Sequence, residues 1–237
     1  MRSYFGMLTI TTTLAVAPVG ITLAHGGGSM PSGGSPAGTV TGTQRNAGDA
    51  AKSAYNSGVK SIKRAQDYDA DAAKASTPEK IAKAREKAQK SYHEALESFI
   101  DAVGAQPKMY QAWNYLGFAN RHLGNYEDAL SAYAKALEIN PTYPEAVEYR
   151  GEAYLGLNQI EEAKGAYMAL FRDSRPLADE LMVAMHRWAD ARRQDGQGLS
   201  TADVEAFAKW MDERAGIAGQ TASLAIGAAQ PWSQGPR

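Results

Sequence analysis

Apolar residues recur every three or four positions along most of the chain from about Ala50 onward, with polar residues between them. The first stripe contains Ala51, Tyr55, Val59, Ile62 and Ala65. Because this spacing places the apolar side chains on one face of an α-helix, a helix is predicted from about Ala50. The pattern loosens between Asp69 and Ser76, where this first helix is expected to end.

The next predicted helix is long. Thr77 followed by Pro78 has the form of an N-cap residue and a first-turn proline, which needs no backbone N–H there. Neither Gly nor Pro occurs again before Gly104. One continuous helix is therefore expected from about Pro78 to Val103, in place of a helix hairpin.

Two helix hairpins are predicted after it. The first joins residues 110–123 to residues 126–139, and the second joins 144–157 to 160–171. Gly124-Asn125 and Asn158-Gln159 supply the turns, because Gly and Asn tolerate left-handed backbone angles.

Two further helices should close the helical region. The first covers about residues 177–193, and its apolar stripe contains Leu181, Met185, Trp188 and Ala189. The second opens at Ser200, with Asp203 three residues later as in a capping box. We expect this pair to cover the open end of the helical stack.

A 34-residue period runs through the centre of the chain. Small residues mark it at Ala95, Ala129 and Ala163, and aromatic residues follow each of them by four positions at Phe99, Tyr133 and Tyr167. The third copy is shifted at its end, because Pro176 stands one place later than Pro107 and Pro141 predict. Such a period is typical of stacked helix pairs that bury a core only against their neighbours.

The copy at residues 110–143 resembles the tetratricopeptide repeat (TPR) signature. The matching residues are Trp113, Leu116, Gly117, Gly124, Tyr126, Ala129, Tyr133, Ala136 and Pro141, whereas Asn120 stands where an aromatic residue is usual. The copy at 144–177 departs from the signature at Val147 and Arg150, and a partial copy at 76–109 keeps only its second half. The resemblance implies an all-α fold, a short TPR-like helical solenoid with long N-terminal helices and a C-terminal helical cap.

Composition divides the chain into four predicted parts. The segment from Tyr4 to Ala24 is apolar to neutral after Arg2, which indicates a signal peptide at residues 1–24, with an uncleaved membrane anchor as the alternative. Residues 25–48 are rich in Gly, Ser, Pro and Thr and predict a disordered linker. The helical domain is expected at 49–215 and a mostly disordered tail at 216–237, in which 221–229 could dock as a short helix. A signal peptide predicts a periplasmic or other extracytoplasmic location, and membrane contact is expected only without cleavage.

Catalytic and metal-binding motifs are absent from the sequence. The chain has no Cys, and its four histidines, His25, His93, His122 and His186, form neither an HExxH motif nor an i, i+4 pair. There is no G-x-S-x-G and no phosphate-binding Gly motif that opens a helix. A formal net charge of −1 gives no electrostatic reason to expect nucleic acid. We therefore expect no enzyme activity, no cofactor and no metal, with a histidine-dependent metal protein as the last alternative.

The resemblance also implies a concave groove that the first helix of each repeat lines at its second, fifth, ninth and twelfth positions. In the 110–143 copy these residues are Gln111, Asn114, Phe118 and Arg121. In the 144–177 copy they are Glu145, Glu148, Glu152 and Leu155. If a further first helix starts at Ala178, they are Asp179, Met182 and His186.

These residues predict the character of the partner. The family's clamp for C-terminal carboxylates needs Lys and Arg at several of these positions, whereas here only Asn114 fits and Glu148 and Glu152 oppose it. An acidic stretch beside Asn, Phe and Arg suits a protein or peptide segment of basic or amide-rich character.

The functional hypothesis is a non-catalytic protein–protein interaction module, an adaptor, scaffold or assembly factor of the periplasm or cell envelope. A self-associating structural scaffold without a groove ligand is the main alternative. Two further possibilities stay open for the groove: its carboxylates could serve only solubility, or the N-terminal helix could fold over Phe118 and Leu155 and close it.

Overall fold

The computed structural model describes residues 39–195 and 199–228, and all regular secondary structure in these residues is α-helical. The helices are α1 Thr39–Lys74, α2 Pro78–Ala105, α3 Tyr110–His122, α4 Tyr126–Ile139, α5 Pro144–Gly156, α6 Ile160–Asp173, α7 Arg175–Asp195 and α8 Thr201–Ala228. The predicted all-α helical solenoid is confirmed. Within the described part of the chain, no helix combines the length and the hydrophobicity that a membrane span requires.

The helix termini follow from local sequence. The Thr77 hydroxyl accepts a hydrogen bond from the backbone N–H of Lys80 at 3.4 Å, and Pro78 occupies the first turn of α2. The turn of the α3–α4 hairpin contains Gly124 at φ 82°, and that of the α5–α6 hairpin contains Asn158 at φ 59°. Both residues adopt the left-handed conformation that the two turns require.

Helix α1 is the first helix of the first repeat. A Cβ atom added to Gly58 would lie 2.6 Å from the ring of Phe99, just as one added to Gly117 would lie 2.5 Å from the ring of Tyr133. Phe99 and Tyr133 are equivalent residues of the 34-residue period, so Gly58 and Gly117 are equivalent as well. The expectation that a long α2 replaces the hairpin of this repeat is therefore wrong, because α1 pairs with α2.

The first hairpin differs from the others by an extension. When Gly58 is aligned with Gly117 and Tyr92 with Tyr126, residues 64–91 occupy the place of the short turn at residues 123–125. The two helices of this extension are joined by side chains: Arg64 forms an ion pair with Glu94, and its Nε donates to Ser91 Oγ at 3.2 Å.

A second bond links the extension to the repeat. The Tyr92 hydroxyl donates to Asp69 Oδ2 at 2.7 Å, across the pair of helices. The inserted residues lengthen the chain between Gly58 and Phe99, so the spacing of these two residues differs from that in the other repeats. The 34-residue period alone therefore cannot reveal that α1 belongs to the repeat.

The helical region also extends beyond the predicted boundaries. Helix α1 begins at Thr39, inside the stretch predicted as a linker, and continues through Asp69 without interruption. Helix α8 continues to Ala228, inside the predicted tail. Once a helix has nucleated, each further residue adds a backbone hydrogen bond at low cost, so a lack of apolar anchors does not end it. The predicted signal peptide, residues 25–38 of the predicted linker and residues 229–237 of the predicted tail lie outside the described residues.

Within the described ranges, the core consists of three clusters of buried side chains. One lies among α1, α2, α3 and α4 and includes Phe99 and Leu116, and another lies among α5, α6, α7 and α8 and includes Tyr167 and Phe207. Ala129, Tyr133 and Ala153 form a smaller cluster between the two hairpins. Helices α7 and α8 pack at the C-terminal end of the stack, in the place predicted for the cap.

Candidate partner-binding groove

A groove runs along three consecutive first helices, α3, α5 and α7, which lie side by side. It contains two adjoining pockets that share residues from all three helices: Arg121, His122, Glu152, Ala184 and Arg187. Phe118, Glu148, Tyr149, Glu180 and Val183 complete the first pocket, and Tyr126, Leu155, Gly156, Trp188, Ala191 and Arg192 complete the second. The structure thus brings Phe118, Arg121, Glu148, Glu152 and Leu155 together, as predicted from the repeat positions.

Arg121 is the central side chain of the groove floor. It forms an ion pair with Glu152 of α5, and the two side chains are only 15% and 22% exposed. The Arg121 guanidinium also lies 5.1 Å from the ring centre of Phe118 and 5.5 Å from that of Tyr149, distances typical of cation–π contacts. The floor is therefore a charge pair set among aromatic rings, and its two charges neutralise each other.

Glu148 is a buried part of the first pocket. Its surface is 3% exposed, and its Oε2 atom has no hydrogen-bond partner among the described residues. Burial, together with the nearby charges of Glu152 and Glu180, raises the pKa of Glu148 to about 8, although Arg121 acts in the opposite direction. The raised pKa favours the protonated form of the Glu148 carboxyl and so reduces the charge that it adds to the groove.

Four of the predicted groove residues are buried. Asn114 is 1% exposed, Phe118 5%, Glu148 3% and Leu155 3%. Asn114 lines neither pocket, which corrects its expected role, whereas Phe118, Glu148 and Leu155 are buried parts of the pocket walls and also pack α3 and α5 against their neighbours. The ring of Phe118, for example, packs at 5.1 Å against Tyr149 and at 4.4 Å against His122.

Helix α1 does not cover the groove. Both pockets are lined within the described residues by α3, α4, α5 and α7 side chains, and α1 lies beside α3 as the first helix of its own repeat. Phe118 is instead buried by rings of α2, α3 and α5, among them Tyr92 at 6.4 Å. The possibility that the N-terminal helix folds over Phe118 and Leu155 is therefore wrong for α1.

Helix α7 presents a different face to the groove from the predicted one. The groove side carries Glu180, Val183, Ala184 and Arg187, whereas Asp179, Met182 and His186 line neither pocket. Met182 packs against the C-terminal core cluster, and Asp179 and His186 are exposed on other faces. The prediction for these three residues is corrected: the residues that line the groove, Glu180, Val183 and Arg187, each follow a predicted residue by one position.

The cause of this shift is the connection between α6 and α7. Ser174 alone separates these helices, whereas four residues separate α4 from α5, so α7 starts early relative to the period. Its buried stripe is Ala178, Leu181, Met185 and Ala189, which turns the face of Glu180 and Arg187 toward the groove. Two signals in the sequence point to this: Pro176 stands one place late, and the apolar stripe leaves Glu180 and Arg187 on the opposite side.

The remaining predicted residues lie at the N-terminal ends of their helices. Gln111 on α3 and Glu145 on α5 are half-buried, and neither lines the two pockets. The prediction missed Tyr149, Glu180, Val183 and Arg187. Val183 is the most notable of them, because 57% of this apolar side chain is exposed on the groove wall.

No metal-binding arrangement is found in the part of the chain that the structure describes, where groups of three or more His, Asp or Glu side chains with suitable geometry do not occur. The groove chemistry is that of a binding surface, with aromatic rings, one central ion pair and exposed charges along α7. Such a surface can hold a protein segment by burial of apolar area and by hydrogen bonds.

The solved structures that are similar to this chain include two TPR domains. The first TPR domain of the human RPAP3 protein, solved by NMR, is 24% identical, with a TM-score of 0.37, and the match covers 45% of this chain and 86% of that one. The first TPR of Spaghetti (RPAP3), bound to the HSP90 peptide SRMEEVD, is 20% identical, with a TM-score of 0.38, and the match covers 57% and 95% of the two chains. No curated protein matches the sequence.

Two family models, both described as tetratricopeptide repeat, match the chain. One matches residues 80–144 and the other residues 121–176, which together contain α3, α4, α5, α6 and most of α2. The matched residues are those in which the helix hairpins, the 34-residue period and the groove are found. Over residues 80–176 the chain therefore matches the tetratricopeptide repeat family.

Proposed function

We propose that this protein is a non-catalytic interaction module that binds a segment of a partner protein in the groove of α3, α5 and α7. The observation that supports the proposal most directly is the exposed apolar side chain of Val183, set in a groove wall above aromatic rings. An apolar side chain that is exposed inside a concave site is stabilised when a partner buries it. Helical repeats of this family mediate protein–protein interaction.

The partner segment in this proposal is basic or amide-rich, and the geometry favours amides over a uniformly basic run. Glu152 is already neutralised by Arg121, and the pKa of Glu148 is raised to about 8, so two of the expected carboxylates offer little charge. Amide groups can exchange hydrogen bonds with a floor of this kind without any net charge of their own.

We also propose that the protein acts outside the cytoplasm, in the periplasm or cell envelope, as an adaptor or assembly factor. The support is the apolar segment from Tyr4 to Ala24 with small residues before a cleavage position. Mass spectrometry of the protein isolated from its own cells tests this point. A mature chain that starts near His25 supports it, and a chain that retains Met1 in the cytosolic fraction contradicts it.

Site-specific photo-crosslinking in the native cell tests the binding function. A photoreactive residue at Val183 is compared with one at Glu138, an exposed position of α4 that lies outside both pockets. We expect a discrete adduct with another protein from position 183 alone. Adducts between two copies of the chain would instead support the self-associating scaffold, and identical adduct patterns at 183 and 138 would reject the groove as a binding site.

A further inference from the structure

We infer that the groove selects a partner segment with a mixed charge pattern: a cationic group beside Glu180, an apolar side chain on Val183 and an anionic group beside Arg187. The inference rests on the proposed function, because it describes the ligand of the same groove. It replaces the basic or amide-rich character of the proposed partner by a preference for opposite charges at a fixed separation.

Glu180 and Arg187 are the exposed charges of the groove wall. Both side chains line the pocket, both are exposed, and neither forms an ion pair with another residue in the described ranges. They are seven residues apart on one α-helix, so two turns separate them and their Cα atoms are about 10.5 Å apart along the helix axis. At this separation, Glu180 and Arg187 can each interact with a different charged group of one ligand.

The two ends of the groove differ in charge. Glu180 lines only the first pocket, whereas Arg187 lines both and Arg192 adds a second arginine to the pocket toward the C-terminal end of α7. The Nε of Arg192 donates to Asn158 Oδ1 at 3.0 Å, which fixes this second arginine at the wall. An acidic end and a basic end therefore lie along the same helix face.

The floor between the two ends is neutral. Arg121 and Glu152 form an ion pair and the Glu148 side chain is buried, so the floor offers little charge that could cancel the charges on the wall. Val183 lies between Glu180 and Arg187 in sequence and is 57% exposed. A ligand that places an apolar side chain on Val183 brings its flanking residues within reach of both charges.

The helix geometry also sets the spacing in the ligand. An extended segment rises about 3.3 Å per residue, so three residues span the separation of Glu180 and Arg187. The recognised pattern is therefore a cation and an anion three positions apart with an apolar residue between them. A segment that runs in the opposite direction satisfies the groove equally well if its two charges are exchanged.

Peptide titrations of the full-length protein test the inference. The probes are four capped eight-residue peptides with one Leu between positions three and six, and with Lys and Glu, two Lys, two Glu or two Gln at those positions. NMR titration of isotopically labelled protein at low salt measures the dissociation constants into the millimolar range. Exposed ion pairs contribute about 0.2–1 kcal/mol each, so with two pairs the Lys–Glu peptide should bind roughly 2- to 30-fold more tightly than the Gln peptide.

Charge-reversal variants make the test specific. Glu180→Lys should shift the preference to the two-Glu peptide, and Arg187→Glu should shift it to the two-Lys peptide. The double variant should restore the preference for the Lys–Glu peptide. Asp179→Lys is the matched control, because it makes the same change in net charge at an exposed residue of α7 outside the groove.

The outcomes separate this inference from the proposed function. Equal affinity for all four peptides, no measurable binding of any of them, or a shift caused equally by Asp179→Lys would overturn the charge pattern. In each of these cases, a partner adduct from position 183 would still support groove binding. If position 183 yields no partner adduct, the proposed function fails on its own evidence.

Discussion

Arg121 of α3 and Glu152 of α5 form an ion pair that joins two neighbouring repeats. The pair is mostly buried, and the Arg121 guanidinium also contacts the rings of Phe118 and Tyr149. It is therefore part of the packing between repeats as well as of the groove floor, and its loss should affect stability.

The variant Arg121→Met should lower the free energy of unfolding by about 2–4 kcal/mol, because it leaves a largely buried carboxylate unpaired. A double-mutant cycle with Glu152→Gln, measured by urea denaturation, should give a coupling energy of at least about 1 kcal/mol. The exposed pair of Lys135 and Glu138, whose side chains are 55% and 68% exposed, serves as the control and should give less than about 0.5 kcal/mol. Equal coupling energies for the two pairs would contradict this account.

Stability should fall as the pH rises from about 5 to 8. The pKa of Glu148 is raised to about 8 in the folded protein, from an ordinary value of 4.5, so the folded state binds more protons in this range. Each pH unit then costs at most about 1.4 kcal/mol of stability. The free energy of unfolding is measured by urea denaturation at several pH values.

The variant Glu148→Gln isolates this effect. It should flatten the decline between pH 5 and pH 8 and should make the protein more stable than the parent at pH 8, because no carboxylate has to ionise in the interior. Glu138→Gln on α4 changes an exposed carboxyl and should leave the slope as it is. If the parent and Glu148→Gln show the same slope, Glu148 does not carry the pH dependence.

The variant Gly58→Ala tests whether α1 packs as the first helix of the first repeat. The added Cβ would lie 2.6 Å from the ring of the buried Phe99, so this overpacked contact should cost about 1–3 kcal/mol of stability. Gly165→Ala is the matched control, because its Cβ would meet no atom within 4 Å in the middle of α6. That variant should stabilise the protein by roughly 0.5–1 kcal/mol through helix propensity.

A comparison of the two melting temperatures gives the result directly. A destabilised Gly58→Ala beside a stabilised Gly165→Ala supports the position of α1. Two variants that both gain stability would show that α1 does not approach Phe99 closely.

The turn residue Asn158 should resist replacement by alanine. Asn158 has φ 59°, a left-handed conformation that costs a residue with an ordinary side chain about 1 kcal/mol, and its amide oxygen also accepts a hydrogen bond from Arg192. We expect Asn158→Ala to lower the free energy of unfolding by about 1–2 kcal/mol. Asn158→Gly removes only the hydrogen bond and should cost less, so equal losses in thermal unfolding would speak against backbone strain as the cause.

The two central hairpins could be predicted from the sequence because each helix carries its own apolar stripe and each turn its own left-handed residue. The place of α1 could not be predicted in this way. Its partner Phe99 is separated from Gly58 by the inserted residues 64–91, and no local pattern records contacts across such a distance.

The groove could be predicted in part. The repeat positions predict Arg121 and Glu152 as groove residues, and both line the two pockets, because those positions depend only on the helix register of α3 and α5. The burial of Asn114 and Glu148 depends on how three helices pack against one another. The spacing of apolar residues within a single helix does not give this information. The side of α7 that faces the groove could be predicted from the sequence. The apolar stripe at Leu181 and Met185 marks the buried side and so excludes Met182 and His186 from the groove.

The extended hairpin of α1 and α2 has an electrical consequence. Between Lys60 and Lys90 the sequence holds nine basic and five acidic residues, although the whole chain has 25 basic and 26 acidic ones. The hairpin therefore carries a positive net charge in a chain whose remaining residues are negative in sum. Near a charged surface such a molecule experiences a torque that turns the hairpin toward negative charge. The torque acts within about one Debye length, roughly 8 Å at physiological ionic strength, so added salt should remove it.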